Sequence, residues 1–286
     1  MSRSFSLHAQ TGYSLVELMI SMMLGLLLST AIISVFFSVS RSYKVKSALE
    51  TMQENSLLGL HFLSNDLQTA GFKGCFEGPF HNINIVSKGV VAKQLTYSTA
   101  IYGTSGSYQN SDVISFISSI GTVLDVSADM PTSHSSIDLL PGYSTLLNKE
   151  LLITDCLQAD LFTVTSVWKQ RFSHDSTKNS DANLSATYLK GSLVYPLSLV
   201  SYKLAKGVGG NTGLFRKVGT ANYQELIANV VQMKITYGVV EPNSFKLNYV
   251  SAANVVNFNQ VISIKVQLLL SSAKAVLQQQ MHYVNF

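Results

Sequence analysis

An apolar run near the N-terminus constrains this chain more than any other feature. Residues 13–39 form a stretch of 27 residues in which Glu17 is the only charged side chain. As a helix this stretch would measure about 40 Å, more than the roughly 30 Å of hydrocarbon in a bilayer. A signal peptide has an apolar core of only about 7–15 residues. We therefore predict a membrane-spanning helix. A plain one-pass anchor would have the same length but would normally exclude the acid.

The residues around Glu17 form a recognisable motif. A short polar leader, residues 1–12, carries Arg3 and ends in Gly12; an aromatic residue, Tyr13, comes next, and Glu17 follows four residues later. The sequence G-Y-S-L-V-E-L-M-I resembles the processing site of type IV prepilins and type II secretion pseudopilins, in which a membrane peptidase cuts after the glycine. The resemblance implies cleavage between Gly12 and Tyr13 and N-methylation of Tyr13, a position where the family usually has Phe.

The resemblance also implies a partner for Glu17. A charged group in a membrane helix costs roughly 2.5–3.5 kcal/mol, so an acid there indicates a functional role. The apolar run itself supplies no opposite charge. Cleavage after Gly12 would create an α-amino group at Tyr13, and in the resembled family the Glu of one subunit is thought to meet that amine on its neighbour. We expect Glu17 to act in subunit assembly in this way.

The helix is expected to continue beyond the membrane. Apolar and small residues recur every three or four positions after the span, which predicts one apolar helix face. They are Val45, Leu49, Met52, Ser56, Leu60, Leu63, Leu67 and Ala70. Gly71 is a plausible stop, so we predict a single helix over residues 13–70, with a membrane or filament-core half (13–40) and an amphipathic half (41–70). A free-standing coiled coil is disfavoured because the stripe is short.

Residues 71–286 are expected to form one β-rich domain. Short β-branched runs separated by turn residues predict strands, and the alternation of the longest runs favours antiparallel pairing. The expected strands are 112–117, 150–154, 161–167, 199–204, 213–217, 230–239, 261–270 and 281–286. Polar stretches at 103–111, 173–185 and 207–213 are interpreted as surface loops. The predicted fold class is α+β, a long pilin-like helix packed on a mainly antiparallel domain.

The two cysteines, Cys75 and Cys156, bear on the compartment. A disulfide between them is favoured if the domain lies outside the cytoplasm, and two free buried thiols are the alternative. The distribution of basic residues favours the opposite orientation, with the domain in the cytoplasm. Arg41, Lys44 and Lys46 follow the span, and the positive-inside rule would keep them on the cytoplasmic side. The prepilin-like leader and the cysteines outweigh that bias. The same basic group is interpreted as an interfacial anchor and not as a nucleic-acid site.

No enzyme signature is present in the sequence. There is no H-E-x-x-H or G-x-S-x-G motif, and the glycine-rich stretch 207–213 lacks the ending of a phosphate loop and is better explained as a hairpin. Asp155, Asp160 and Asp175 could in principle pair, but nothing in the sequence selects them. We expect no catalytic activity, no metal and no cofactor. Trp168, the only tryptophan, is interpreted as a strand or core residue.

Later segments of the chain resemble PilW-type minor pilins. The matching stretches are residues 53–55, 63–72, 74–75, 196–204, 214–216, 225–233, 237–238 and 261–271. The resemblance implies a minor subunit that initiates or caps a type IV pilus, with other minor and major pilins, prepilin peptidase and the inner-membrane assembly platform as partners. It implies an inner-membrane protein whose domain lies in the periplasm before it joins the pilus. A J-type pseudopilin of a type II secretion system, or an adhesin on a plain anchor, are the alternatives.

Overall fold

The computed structural model describes residues 14–97, 99–140, 146–240, 246–272 and 282–285. Two α-helices lie in this part of the chain, α1 (Leu15–Gln68) and α2 (Val90–Tyr97). The strands before the chain midpoint are β1 (Asn84–Ile85), β2 (Ile101–Thr104), β3 (Val113–Ser119), β4 (Leu124–Asp125) and β5 (Ile137–Asp138). Those that follow are β6 (Glu150–Thr154), β7 (Ala159–Thr163), β8 (Ser166–Trp168), β9 (Arg171–Ser173), β10 (Leu193–Lys206), β11 (Thr212–Val218), β12 (Gln224–Ala228), β13 (Val230–Val240), β14 (Leu247–Ser251), β15 (Val261–Leu270) and β16 (His282–Asn285). The α+β prediction is confirmed.

Helix α1 contains 54 residues and is therefore about 81 Å long. The residue that redirects the chain after it is Gly71, whose φ of +77° lies in the left-handed region that favours glycine. The Gly71 N–H donates to the carbonyl of Ile117, 2.8 Å away, so the chain enters the domain beside β3. The helix therefore ends close to the predicted position, although Tyr13, its expected first residue, lies outside the described residues.

The largest sheet is organised around β10. Its strand order is β1-β7-β6-β10-β11-β12, with β3 and β4 also paired to β10 and β2 paired to β3. All these pairs are antiparallel except β1 with β7. Since β10 is paired along both edges, it extends over residues 193–206, well beyond the predicted 199–204. Pro196 lies within it and still accepts a hydrogen bond from the Ile120 N–H at 2.9 Å.

Two smaller sheets complete the domain. One has the order β14-β13-β15-β16 and the other β5-β9-β8. The second half of α1 packs over the region where β10 and β11 approach β13 and β15, and Leu63 belongs to a core that includes Leu214, Met233 and Leu268. Two further cores lie around β6 and β7, one on each side. The helix is thus an integral part of the domain core over its second half only.

The strand predicted over residues 161–167 is wrong as a single element. The chain turns at Val164 and Thr165, so that β7 joins the large sheet while β8 joins the small one. The run is rich in β-branched residues on both sides of the break, and local pattern does not show where a strand changes partners. Trp168 does lie in a strand, β8, but its side chain is 66% exposed and is not part of the core.

Several elements were not predicted from the sequence: helix α2 and the strands β1, β2, β4, β5, β9, β12 and β14. Helix α2 is held by Glu150, a buried residue of β6 whose carboxylate accepts hydrogen bonds from the N–H groups of Val91 and Ala92 at 2.8 and 2.9 Å. The Ser87 hydroxyl also donates to Glu150, at 2.8 Å. A carboxylate at a helix N-terminus satisfies N–H groups that have no partner within the helix. The helix therefore depends on a residue about 60 positions away, which local periodicity cannot reveal.

Candidate functional site

The first half of α1 projects as an exposed apolar rod. Among the described residues α1 is the one helix long and apolar enough to cross a membrane, and no part of its most apolar stretch is buried. Four of its hydroxyl groups bond to carbonyls of the same helix: Ser21 donates to the Glu17 carbonyl at 2.7 Å and Ser29 to the Gly25 carbonyl at 2.8 Å. Thr30 and Ser34 bond in the same way to carbonyls three residues earlier. Internal pairing of this kind is what a lipid environment requires.

Glu17 lies in the first turn of α1, where the helix dipole favours an acid by about 0.3–1 kcal/mol. That is smaller than the roughly 2.5–3.5 kcal/mol cost of a charge in hydrocarbon. Its side chain is exposed, and within the described part of the chain no basic group lies at ion-pair distance from it. Gly12 and Tyr13, the predicted cleavage and methylation positions, lie outside the described residues. The described part of the chain therefore does not supply the partner that the resemblance leads us to expect for Glu17.

The second half of α1 is joined to the domain by close packing. Every residue of the predicted stripe is at least partly buried except Leu49. Gly59 is also buried, and a Cβ at that position would lie 2.6 Å from Cδ1 of Ile227 in β12. The absence of a side chain lets α1 approach β12 closely, and the Asn55 amide donates to the Ala228 carbonyl at 3.4 Å. The apolar stripe is visible in the sequence, whereas the contact at Gly59 is not.

A polar cluster made of Asp66, Tyr202 and Arg216 fastens the end of α1 to the large sheet. Arg216 donates from Nε to Asp66 Oδ2 at 2.6 Å and from Nη2 to Asp66 Oδ1 at 3.0 Å. The Tyr202 hydroxyl donates to Asp66 Oδ2 at 2.5 Å. The side chains of Arg216 and Asp66 are only 26% and 13% exposed. The carboxylate therefore accepts three charge-assisted or hydroxyl hydrogen bonds in a poorly hydrated place.

The electrostatics of the Asp66–Tyr202–Arg216 cluster follow from this geometry. Hydrogen bonding to Asp66 raises the pKa of Arg216, so the guanidinium stays charged. Burial, together with the neighbouring Asp66 carboxylate, raises the pKa of Tyr202, so its hydroxyl remains a donor. Tyr202 and Arg216 are register partners on β10 and β11, which places both side chains on the sheet face toward α1. All three residues lie in stretches that resemble PilW-type minor pilins. The contact between them was not predicted from the sequence.

We expect Asp66→Asn to lower the free energy of unfolding by about 2–3 kcal/mol. The change leaves the Arg216 guanidinium without its carboxylate in a site that excludes most water, and a broken buried pair costs up to about 3–5 kcal/mol. Denaturant unfolding of the full chain in mild detergent, followed by circular dichroism, measures the loss. The matched control is Glu54→Gln, which removes an exposed carboxylate from the same helix and is expected to change stability by less than about 0.5 kcal/mol. Equal midpoints for Asp66→Asn and the native chain would contradict the role of the cluster.

Cys75 and Cys156 are joined in a disulfide, with their Cα atoms 4.8 Å apart. The bond links the segment that follows α1 to the turn between β6 and β7. It agrees with the pairing that the sequence favoured over two free thiols. Because Glu150 lies at the other end of β6, that strand is tied both to α2 and to the end of α1.

Each of the acids considered for catalysis accepts hydrogen bonds from nearby protein groups and serves local structure. Asp160 is fully buried and accepts hydrogen bonds from the Tyr188 hydroxyl at 2.6 Å and the Ser185 hydroxyl at 2.7 Å. Asp155 accepts from the Leu157 and Gln158 N–H groups, and Asp175 from the Thr177 N–H. Across the residues that the structure describes, no group of three or more His, Cys, Asp or Glu side chains could hold a metal ion.

Two family models match separate parts of the chain. Residues 201–284 match the family model of the type IV pilus-assembly protein W, and residues 7–33 match the prokaryotic N-terminal methylation motif. These matches support a PilW-type pilin with a prepilin-type motif. No curated protein and no solved structure matches the chain. The PilW match includes Tyr202 and Arg216, so two of the three side chains that fasten α1 lie within the matched region.

The matched families are pilin structural and assembly proteins and not enzyme families. The methylation motif spans Gly12, Tyr13 and Glu17, the residues expected to be processed or to act in assembly. The exposed apolar half of α1 is consistent with an inner-membrane anchor and with a pilus subunit. The matches therefore support a type IV pilus-related pilin, and the exposed apolar half of α1 is consistent with them.

Proposed function

We propose that this chain is a minor pilin-like subunit that helps to initiate assembly of a type IV pilus, or caps it. The observation that carries the proposal is Glu17, an acid without a partner in the described chain, at the head of an exposed apolar helix. Prepilin peptidase would cut after Gly12, and N-methylation would follow at Tyr13. The new amine would then neutralise Glu17 of an adjacent subunit and set the axial register between helices.

The proposed location is the bacterial inner membrane, with the domain in the periplasm before the subunit enters the pilus. The Cys75–Cys156 disulfide supports an oxidising compartment. The proposed partners are other minor and major pilins and the inner-membrane assembly platform. We keep the division of the chain into leader 1–12, span half 13–40, amphipathic half 41–70 and domain 71–286 as part of this proposal.

The mature N-terminal mass tests the proposal. We expect mass spectrometry of membrane-resident protein to find a chain that begins at Tyr13 and carries one added methyl group. The control is Gly12→Val, which should keep the leader, because a β-branched side chain would obstruct the peptidase where glycine has none. An intact Met1 leader on most native protein would overturn the proposal and favour an anchored adhesin.

A deletion strain separates the proposed pilus role from the pseudopilin alternative. Loss of surface pili and of twitching motility, with normal exoprotein secretion, supports the minor pilin. Loss of exoprotein secretion with normal pili would instead assign the chain to a type II secretion system. Both readouts are needed because the N-terminal motif is common to the two systems.

A further inference from the structure

A hollow of about 830 Å³ lies where the apolar half of α1 gives way to the domain. One wall is the helix face that carries Phe37, Arg41 and Lys44, and the opposite wall includes Asn229 and Ser271 from the underside of the domain. Its volume falls within the roughly 300–1,000 Å³ that is typical of small-molecule sites. The hollow therefore has the size of a binding site and is lined by both cations and hydroxyl groups.

The two cations in the hollow are uncompensated. Among the described residues no carboxylate lies within ion-pair distance of Arg41 or Lys44. Lys46 differs, because its ammonium lies 3.9 Å from Glu50. Lys46 is also two residues after Lys44, about 200° around the helix, and does not line the hollow. The arrangement thus concentrates free positive charge on the one face of α1 that borders the hollow.

The hollow lies at the depth of the lipid headgroups. Arg41 is the first charged residue after Glu17, and residues 15–39 form about 37 Å of helix, enough to cross the hydrocarbon with a modest tilt. Phe37 lies one turn closer to the bilayer, where an acyl chain would begin. Arg41 and Lys44 therefore lie at the level of the lipid phosphate groups. The Phe37 ring lies on their membrane side, and hydroxyl groups lie on their domain side.

We propose that this hollow binds the phosphate headgroup of an anionic phospholipid, with Arg41 and Lys44 as its ligands. The guanidinium of Arg41 presents paired donors that suit phosphate oxygens, and Lys44 adds a second point charge. The site also accounts for basic residues on the domain side of the span, a placement that the positive-inside rule disfavours. The inference rests on the membrane-anchored state in the proposed function and does not require filament assembly.

Native mass spectrometry of the full chain, released from mild detergent, tests the proposal. The probe is phosphatidylglycerol, compared with phosphatidylcholine of the same acyl chains. We expect the native chain to retain phosphatidylglycerol preferentially. Arg41→Gln and Lys44→Gln are each expected to weaken that retention about fivefold, since a basic residue near an anionic headgroup contributes about that factor. Ala48→Phe, which fills the hollow without changing charge, is expected to abolish the preference.

The matched control is Lys46→Gln, which removes one positive charge from the opposite side of the same helix and should leave retention unchanged. Equal losses for Lys46→Gln and Arg41→Gln would overturn the site, because they would show diffuse charge attraction. Retention unaffected by Ala48→Phe would overturn it too. Displacement of the lipid by excess inorganic phosphate would assign the hollow to a soluble anion. The measurement is independent of cleavage after Gly12, so an uncut leader would refute the proposed function and leave this result standing.

Discussion

Glu17→Gln is expected to reduce incorporation of the chain into filaments at least about tenfold, at unchanged membrane abundance and unchanged cleavage after Gly12. Glutamine has nearly the shape of glutamate but carries no charge, and an NH₂ donor replaces one of the two accepting oxygens. The α-amine of a neighbouring subunit would then remain uncompensated in lipid, and loss of one partner of a desolvated pair costs several kcal/mol. Immunoblots of sheared surface filaments, normalised to the membrane fraction, measure the effect.

Two comparisons make the Glu17 result specific. Glu17→Asp retains the charge on a shorter side chain and is expected to recover part of the incorporation. Glu54→Gln removes an exposed carboxylate from the amphipathic half of α1 and should assemble normally. If Glu17→Gln entered filaments as readily as the native chain, neutralisation of the acid by a neighbour would not be the basis of assembly.

Removal of the disulfide by Cys75→Ser with Cys156→Ser is expected to cost roughly 4 kcal/mol of unfolding free energy. The bond closes a segment with a sequence separation of 81, and the chain-entropy model gives a penalty of about that size. For a domain of this size the melting temperature should fall by about 8–16 °C. Thermal unfolding of the full chain in detergent, monitored by circular dichroism, measures the change.

A reductant provides the internal control for the disulfide. Treatment of the native chain should reproduce the lowered melting temperature, while the double serine variant should not respond. The loss should appear first around the turn between β6 and β7, where hydrogen exchange would report earlier opening, because this turn loses its covalent link to the end of α1. A native chain with the same melting temperature in both redox states would contradict a stabilising role.

Local sequence pattern was sufficient for several elements of this fold. The span needs only a long run without charge, and its one acid is visible by inspection. The strands at 150–154 and 261–270 appear with the expected bounds, since β-branched runs between turn residues have few alternatives. Gly71 follows the end of the helix because the turn there requires a φ of +77°, which glycine adopts at little cost. The disulfide pairing required no choice, because the chain has two cysteines.

Contacts between distant segments decided the rest. Local periodicity cannot predict contacts between residues that are far apart in sequence. Two such contacts are the cluster of Asp66, Tyr202 and Arg216 and the packing of Gly59 against Ile227. The run at 161–167 divides because its two parts pair with strands of different sheets. Helix α2 is capped by Glu150, a buried acid of β6. A helix or strand with a strongly periodic pattern of apolar residues can be predicted from its own sequence. The position of a side chain against another element depends on packing over the whole domain, which only the folded chain brings about.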